Sequence, residues 1–495
     1  MIMKNDGIVS LTPLEFTRQK PGVYAGDTTY STQLVMEILS NAIDEYRIGN
    51  GNEIVVSLST DEDDKYWCCV KDNGSGFPIN DLRDDGETTF QAAFDVLNTS
   101  GKYTEDGRYQ GNSLGAYGIG CKLTNFLSHE LIAVTIRDGK LETNIYEEGV
   151  FKKRRLDNSR QPNGTMVIWN PSEEFFENVQ VDYDKFYKDI NTIVCLCPGL
   201  KIIVKTEGKE RIFYSETGLE QLVNQKIESS KVKEVVKNRC SVHTSAIDMV
   251  MTYTTAYSSE IIAYANVGYT ESGPHITQIK STITREMKKF FEENKWIDPD
   301  VKLTGENIQE GMLLIFNVNV PNISYDAQVK SRITKLDTSV FLEDVKSGLR
   351  EWLTSNKKDV KALVDKAVAA KKANEAAKRA RERIRNAGNA KGLKAKLQVS
   401  DKFIDCVNRK PSERNLLLVE GQSAGSSAVE ARNVKTDAIY ALRGKVLNVL
   451  KSKPEKVLEN QELFDIIMKI GAGYLDTFDI KKMMFDKVII VSDRP

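Results

Sequence analysis

At 495 residues the chain has room for about three domains of roughly 100 to 200 residues each. Its 69 Lys and Arg nearly cancel its 70 Asp and Glu, which excludes a globally basic nucleic-acid binder and leaves any such surface local. With 40% hydrophobic and 28% charged residues it reads as a globular chain, and no run approaches the ~20 apolar residues of a membrane span, so no membrane partner is expected. The amino terminus lacks a charged-then-apolar leader, which points to the cytosol. Seven cysteines lie scattered, mostly in apolar runs and without CxxC pairs, and there are only three histidines; buried free thiols are expected rather than zinc, disulfide or histidine-centred chemistry.

In residues 1–220 helical patterns mix with strand runs such as NEIVVSLS, YWCCVKD, ELIAVTIR and GTMVIWNP, separated by glycine-rich loops, the pattern of an α/β sandwich. A long helix is predicted at STQLVMEILSNAIDEYRIGNG, where Leu34, Val35, Ile38, Leu39, Ala42, Ile43 and Tyr46 recur at helical spacing and face a core. Glu37, Asn41 and Glu45, four residues apart, line a different face. A carboxylate one turn from a carboxamide suits triphosphate hydrolysis: the Glu takes a proton from water and the Asn oxygen coordinates Mg²⁺. The same spacing is also that of an ordinary solvated helix face.

Next, CVKDNGSGFP places Asp72 at a strand end, before glycines 74 and 76 and Pro78. A carboxylate there can accept from an exocyclic amine such as that of adenine, while the glycines let backbone approach the base. In TSGKYTEDGRYQGNSLGAYGIGCKLTNFLS a polar loop with Gly115, Gly118 and Gly120 runs into an apolar helix carrying Leu123, Phe126 and Leu127. Backbone amides and a helix amino terminus would converge there, where phosphates could lie, although a mobile surface loop reads alike.

Residues 221–365 repeat strands (AIDMVMTYT, EIIAYANVGY, GMLLIFNVNVP) and the helix ITQIKSTITREMKKFFEEN, a second α/β domain. Residues 366–398 fall in a stretch rich in Ala, Lys and Arg, predicted as a long exposed helix that serves as a linker or also touches phosphates. Residues 399–495 run strand, loop, helices, strand; VIIV, 488–491, is expected to be a buried parallel strand delivering Asp493 to its carboxyl end.

The order of these pieces is informative: helix with ExxxN, then DxGxG, then a glycine-rich lid, then NGTMVIW. It resembles the Bergerat (GHKL) ATPases, the group of gyrase B proteins, heat-shock chaperones, histidine kinases and mismatch-repair ATPases. KPGVYAGD (20–27), NAIDE (41–45) and AYGIGCKLTNFLS are similar to signatures of the type IIA DNA topoisomerases within that group. The resemblance implies ATP and Mg²⁺ as cofactors, Glu37 as general base, Asn41 as Mg²⁺ ligand, Asp72 as adenine reader and Thr165 as a second contact near the base. Lys102 and the amides of Gly115, Ala116, Tyr117, Gly118, Ile119 and Gly120 would hold phosphates, with Glu45, Gly76, Pro78 and Lys122 completing the ATP site. Two departures stand out: Ser75 where bacterial members carry an Arg beside the adenine, and Ser40 where the family often has Asp.

In VPNISYDAQVKSRI, Gln328 and Lys330 match the family's transducer domain, where these residue types reach the γ-phosphate. LLLVEGQSAGSSAVEAR and YALRGKVLNVL resemble its TOPRIM region, implying Glu420 and Asp493 as Mg²⁺ ligands and Arg443 and Lys445 as DNA contacts. The second Asp of the family's DxD pair is Pro495 here, so the chain supplies a partial TOPRIM domain. The resemblance further implies double-stranded DNA as substrate, an ATP-driven homodimer of the first domain, and a heterotetramer with a cleavage subunit that carries the catalytic tyrosine. Either a truncated chain or a split large subunit of the T-even bacteriophage kind, with a separate chain completing TOPRIM, is expected. A non-cleaving ATP-switched DNA clamp related to the mismatch-repair ATPases, or a regulatory partner of a topoisomerase, is the alternative, which the EGQSAG and RGK strings disfavour.

Overall fold

The computed structural model describes residues 10–97 apart from 85, 119–326 apart from 299, 331–389, and 402–491 apart from 421, 443–447, 450–451, 453–456, 458–459 and 474–477. Two compact units separate: Met1–Asp300 with Ile308–Val364, and Val301–Asn307 with Asp365–Pro495. Both α/β regions expected in the first 365 residues fall within the first unit.

Its helices are α1 Pro13–Gln19, α2 Pro21–Ala25, α3 Thr32–Arg47, α4 Thr89–Asp95, α5 Gly120–Phe126, α6 Tyr183–Leu196, α7 Leu219–Ser230 and α8 Pro274–Glu293, followed by the short α9 Gly305–Gln309, then α10 Ser339–Ser355 and the start of α11, Lys357–Asn389. An eight-stranded sheet is built from β1 Glu53–Thr60, β2 Tyr66–Asp72, β3 Ser128–Arg137, β4 Lys140–Glu147, β5 Val150–Asn158, β6 Gly164–Pro171, β7 Lys201–Thr206 and β8 Lys209–Phe213, in the order β5-β4-β3-β6-β2-β1-β7-β8. All its pairs are antiparallel except β1 with β7.

One face of this sheet is apolar because the strands alternate: Ile54, Val56 and Leu58 on β1 and Cys68 and Val70 on β2 are buried. They share a cluster with Leu34, Val35, Ile38, Leu39, Ala42 and Ile43 of α3, the stripe expected from helical spacing. Each buried Val, Leu or Ile among them contributes roughly 1.5–3 kcal/mol, which pins α3 across the sheet and sets which way its polar face points.

A second sheet contains β9 Cys240–His243, β10 Ile247–Tyr253, β11 Glu260–Ala265, β12 Gly268–Thr270 and β13 Met312–Val318, in the order β12-β11-β13-β10-β9. After it, β14 Ser324–Tyr325 and β15 Ile333–Lys335 pair antiparallel and bracket residues 327–330, which lie outside the described residues. The basic helix α11 starts earlier than its Lys- and Arg-rich stretch. Val360, Leu363, Val364, Ala367 and Ala370 are buried, so its first half is not the exposed linker expected.

In the second unit β16 Phe403–Ile404, β17 Asn415–Glu420, β18 Asp437–Leu442 and β19 Lys487–Val491 form a sheet in the order β16-β18-β17-β19, with α12 Gln422–Ala431 and α13 Gln461–Ile470. Strand β17 runs parallel to both β18 and β19. Its small core joins Leu416, Ala438, Tyr440, Cys406 and Phe485. The expectation of a buried terminal strand is corrected: β19 is parallel but lies at the sheet edge, with Val488, Ile489, Ile490 and Val491 between 37% and 76% exposed. Apolar residues alternating across two faces are buried only when both faces are covered.

Candidate functional site

Four segments converge on the polar face of α3. Glu37 and Asn41 sit there half-buried, and the Gln33 Nε2 donates to Glu37 Oε1 at 2.6 Å, one turn upstream. The start of α5 arrives beside them. A Cβ on Gly120 would come within 2.4 Å of Glu37 Oε2, so a side chain here would push the carboxylate out of its place. The Asn41 Nδ2 donates to the Cys121 Sγ (3.2 Å) and to the Glu37 carbonyl (3.1 Å). No hydrogen bond between described residues engages the Asn41 Oδ1, an oxygen of the type Mg²⁺ accepts, and the residues present fit that ion.

At the end of β2, Asp72 Oδ1 accepts the backbone amides of Gly74 (2.8 Å) and Thr165 (3.2 Å). Burial pushes its pKa from 3.8 to about 6, against the lowering effect of those amides and with the nearby Glu45 adding to the rise. Gly164, at φ +156°, lets β6 pass so close that a Cβ would meet the Asp72 carbonyl at 2.3 Å. Next to Asp72, the Thr135 Oγ1 accepts the Phe77 amide at 2.7 Å and the Arg137 Nη1 donates to the Gly76 carbonyl at 3.2 Å. Pro78 is exposed just beyond.

Glu45 closes the ring. Its Oε2 accepts the Ser75 hydroxyl (2.8 Å), the Ser75 amide (3.1 Å) and the Asn50 Nδ2 (3.2 Å). Ser75, a small neutral donor, thus holds the helix to the β2 loop.

Lys122, expected among the ATP contacts, is 3% exposed on α5, its pKa lowered to about 8 by burial, with Asp95 acting the other way. Ile119 and Gly120 are described; Lys102, Gly115, Ala116, Tyr117, Gly118, Gln328, Lys330, Arg443, Lys445 and Asp493 lie outside the described residues. Glu420 is exposed at the carboxyl end of β17, one residue past the pair Val419 and Val491. Among the described residues no group of three His, Cys, Asp or Glu is placed to hold a metal.

Gln33, Cys121 and Arg137 were not singled out from sequence, and Ser75 only as a departure, without its contact to Glu45. Gln33 had a signal, its i−4 spacing from Glu37; the other three meet the site through contacts 30 to 80 residues away in the chain. A cavity of about 60 Å³ beside β2 and β6 is lined by Asp72, Gly164 and Thr165 together with Lys71, Val134, Ile136 and Met166. Strand alternation puts the side chains of Lys71, Val134, Ile136 and Met166 on the face opposite those of Asp72 and Thr165.

The protonation of Asp72 yields a measurable consequence. Only the ionised carboxylate purely accepts, so ATP should bind about tenfold more weakly at pH 5 than at pH 7, with the change centred near 6. The sign for folding is opposite: a raised pKa means the folded state holds the proton more tightly, and this stabilising contribution is lost as pH rises from 3.8 to about 6. Calorimetric titration with ATP across this range checks it; a flat profile would remove Asp72 from the base contact.

Residues 26–169 match the family described as histidine kinase-, DNA gyrase B- and HSP90-like ATPase, and residues 214–383 match DNA gyrase B. The chain is 32% identical to the DNA gyrase B protein of Thermotoga maritima over 99% of its own length and 78% of that protein. Its identity to the DNA gyrase B protein of Campylobacter jejuni is 30%, over 98% of the chain and 62% of that protein. Among solved structures, the 43K ATPase domain of Thermus thermophilus gyrase B, in complex with an aminocoumarin, superposes with a TM-score of 0.60 at 26% identity, covering 74% of this chain and 97% of that domain. With an ATPase-type fold whose α3, β2, α5 and β6 bring together the residues expected from its motifs, and relatives matched along nearly its whole length, the chain belongs to the DNA gyrase B family of type IIA topoisomerase ATPase subunits.

Proposed function

We propose that the chain binds and hydrolyses ATP with Mg²⁺ and uses the cycle to drive DNA strand passage together with a cleavage subunit. The observation that carries the reading is the convergence of Glu37 and Asn41 of α3, Asp72 of β2, Gly120 of α5 and Thr165 of β6 around one polar helix face. Asp72, ionised at neutral pH, accepts from the adenine amine and fixes the base. Glu37 takes a proton from the attacking water as its oxygen bonds to the γ-phosphorus, and the bond to the β–γ bridging oxygen breaks to leave ADP. Gln33 holds the carboxylate in place for that transfer. Asn41 offers its carboxamide oxygen to Mg²⁺, which when bound neutralises charge on the phosphates. Lys102, Lys122 and the backbone of residues 115–120 are the proposed phosphate contacts.

Gln328 and Lys330 are proposed to read the γ-phosphate from the second sheet, so that hydrolysis releases them and lets the two α/β regions rearrange. Lys330→Ala should leave ATP affinity within about threefold and lower kcat by about tenfold or more, the pattern of an interaction made late in the cycle. Unchanged kcat in a coupled phosphate-release assay would remove the sensor role.

In the second unit Glu420, with Asp493, is proposed to supply part of a TOPRIM Mg²⁺ site next to the basic turn of Arg443 and Lys445. The exposed apolar edge strand β19 supports a further polypeptide segment, in the same or a separate chain, covering it and completing the site. The active assembly proposed is a cytoplasmic heterotetramer that closes as an ATP-dependent dimer on double-stranded DNA. The test is to mix the chain with a topoisomerase cleavage subunit and assay ATP-dependent strand passage. ATP hydrolysis without passage, whichever complementing subunit is supplied, would instead favour the ATP-switched clamp.

A further inference from the structure

Helix α3 does more than carry the proposed catalytic face. Its last residue, Arg47, reaches the second sheet: the Nη2 donates to the Asn319 Oδ1 at 2.9 Å and to the Asn266 Oδ1 at 3.4 Å, while the Nη1 lies 3.7 Å from Asp44 on the same helix. The surroundings are dry for so polar a set, with Asp44, Asn266 and Asn317 each 5% exposed or less. Buried polar groups persist where they are mutually satisfied, and such networks hold one geometry.

The acceptor end is also conformationally special. Asn266 and Val267 form the two-residue turn joining β11 to β12, with Ala265 paired to Gly268, and both have positive φ, 50° and 71°. For Asn this is ordinary in such a turn, but a β-branched residue there is a genuine outlier. Strain of this kind survives only where the surroundings over-determine it. They do: the Val267 amide donates to the Asn317 Oδ1 (3.0 Å), Asn266 exchanges two hydrogen bonds with the Val320 backbone (2.9 and 3.1 Å), and the Asn317 Nδ2 donates to the same Asn319 Oδ1 that receives Arg47 (3.2 Å). The Val267 side chain lies in the same buried cluster as Leu39 and Ile43 of α3.

Asn319 directly follows β13 and stands eleven residues before Lys330 in the chain. The network therefore ties the carboxyl end of the helix bearing Glu37 to the root of the segment bearing the proposed sensor. We infer that Arg47 is a positioning residue, a latch through Asn319 and the strained Asn266–Val267 turn that couples movement of the second sheet to the orientation of Glu37. This rests on the ATPase reading above. It adds a second connection between the two sheets, made by the protein alone and independent of the γ-phosphate.

The experiment uses the full chain and compares Arg47→Met, Asn319→Ala and the double variant for kcat, ATP affinity and thermal unfolding. Each single variant should lower kcat by about tenfold, keep ATP affinity within about twofold, and the double should be no worse than either, because both remove one shared link. Arg47→Lys, which keeps the charge but not the two-pronged reach, should recover only part of the loss. The latch is overturned if kcat stays within about twofold of wild type, if the two losses multiply, or if affinity falls in step with kcat. Should Arg47→Met unfold, Asn319→Ser, which leaves the Arg47–Asp44 pair in place, carries the same criteria. Glu37→Gln in the same assay separates the two ideas: if it stops turnover and Arg47→Met leaves kcat within about twofold of wild type, the latch alone falls, whereas a wild type that hydrolyses no ATP removes both.

Discussion

Glu37→Gln is expected to lower ATP turnover by at least about a hundredfold, the usual scale of a positioned general base, while ATP still binds. The substitution keeps the size of the side chain and its hydrogen bond to Gln33, now amide to amide, so the packing of α3 has no reason to change. What disappears is the group able to take the proton of the attacking water. Steady-state phosphate release with a separate nucleotide-binding titration checks both halves. Turnover near wild type would sink the base assignment. Loss of binding together with turnover would point to a contact with the bound nucleotide instead. Gly120→Ala offers an independent route to the same carboxylate, because its methyl would collide with Glu37 Oε2.

Asp72→Asn is expected to weaken ATP binding by about thirtyfold or more, since a charged hydrogen bond becomes a clash between donors. The carboxylate holds the amides of Gly74 and Thr165 through Oδ1. An asparagine keeps those bonds only by placing its Oδ1 there, which turns its NH₂ to where Oδ2 stood and confronts the adenine amine with another N–H. The fold should gain rather than lose at pH 7, because a half-buried carboxylate that burial and Glu45 both disfavour has been neutralised. Weaker ATP binding with an unchanged or higher melting temperature is the expected pair of results. Undiminished affinity would exclude Asp72 as the adenine contact. A fall in both would mean that the residue holds up the β2 loop.

The parts of this protein legible in sequence are those with a strong local period. Helix α3 shows its core stripe and its polar face in one string, and strands such as β1, β2 and β13 are runs of apolar or alternating residues. By contrast β5, VFKKRRLDN, is mostly charged or polar, with only Val150, Phe151 and Leu156 apolar. It is a strand because β4 offers a full ladder of partners, and its lysines and arginines suit an edge. Burial of the terminal strand misled for the converse reason. Apolar content shows that a strand wants cover, whereas only the sheet order shows whether cover is there.

Within the site, the sequence by itself determined the chemistry: a carboxylate and a carboxamide one turn apart, an acidic residue at a strand end, and glycines where backbone must come close. These follow from residue type and short-range spacing, which helix and strand periodicity convert directly into faces. Tertiary structure alone decided how the pieces meet. Ser75 takes up Glu45, Cys121 meets Asn41, Thr165 shares Asp72 with Gly74, and Arg47 crosses to Asn319, each through a contact spanning from 30 to more than 270 positions in the chain. No local period encodes such distances; they are set when the buried faces of α3 and the two sheets pack, and the polar groups left between them find partners.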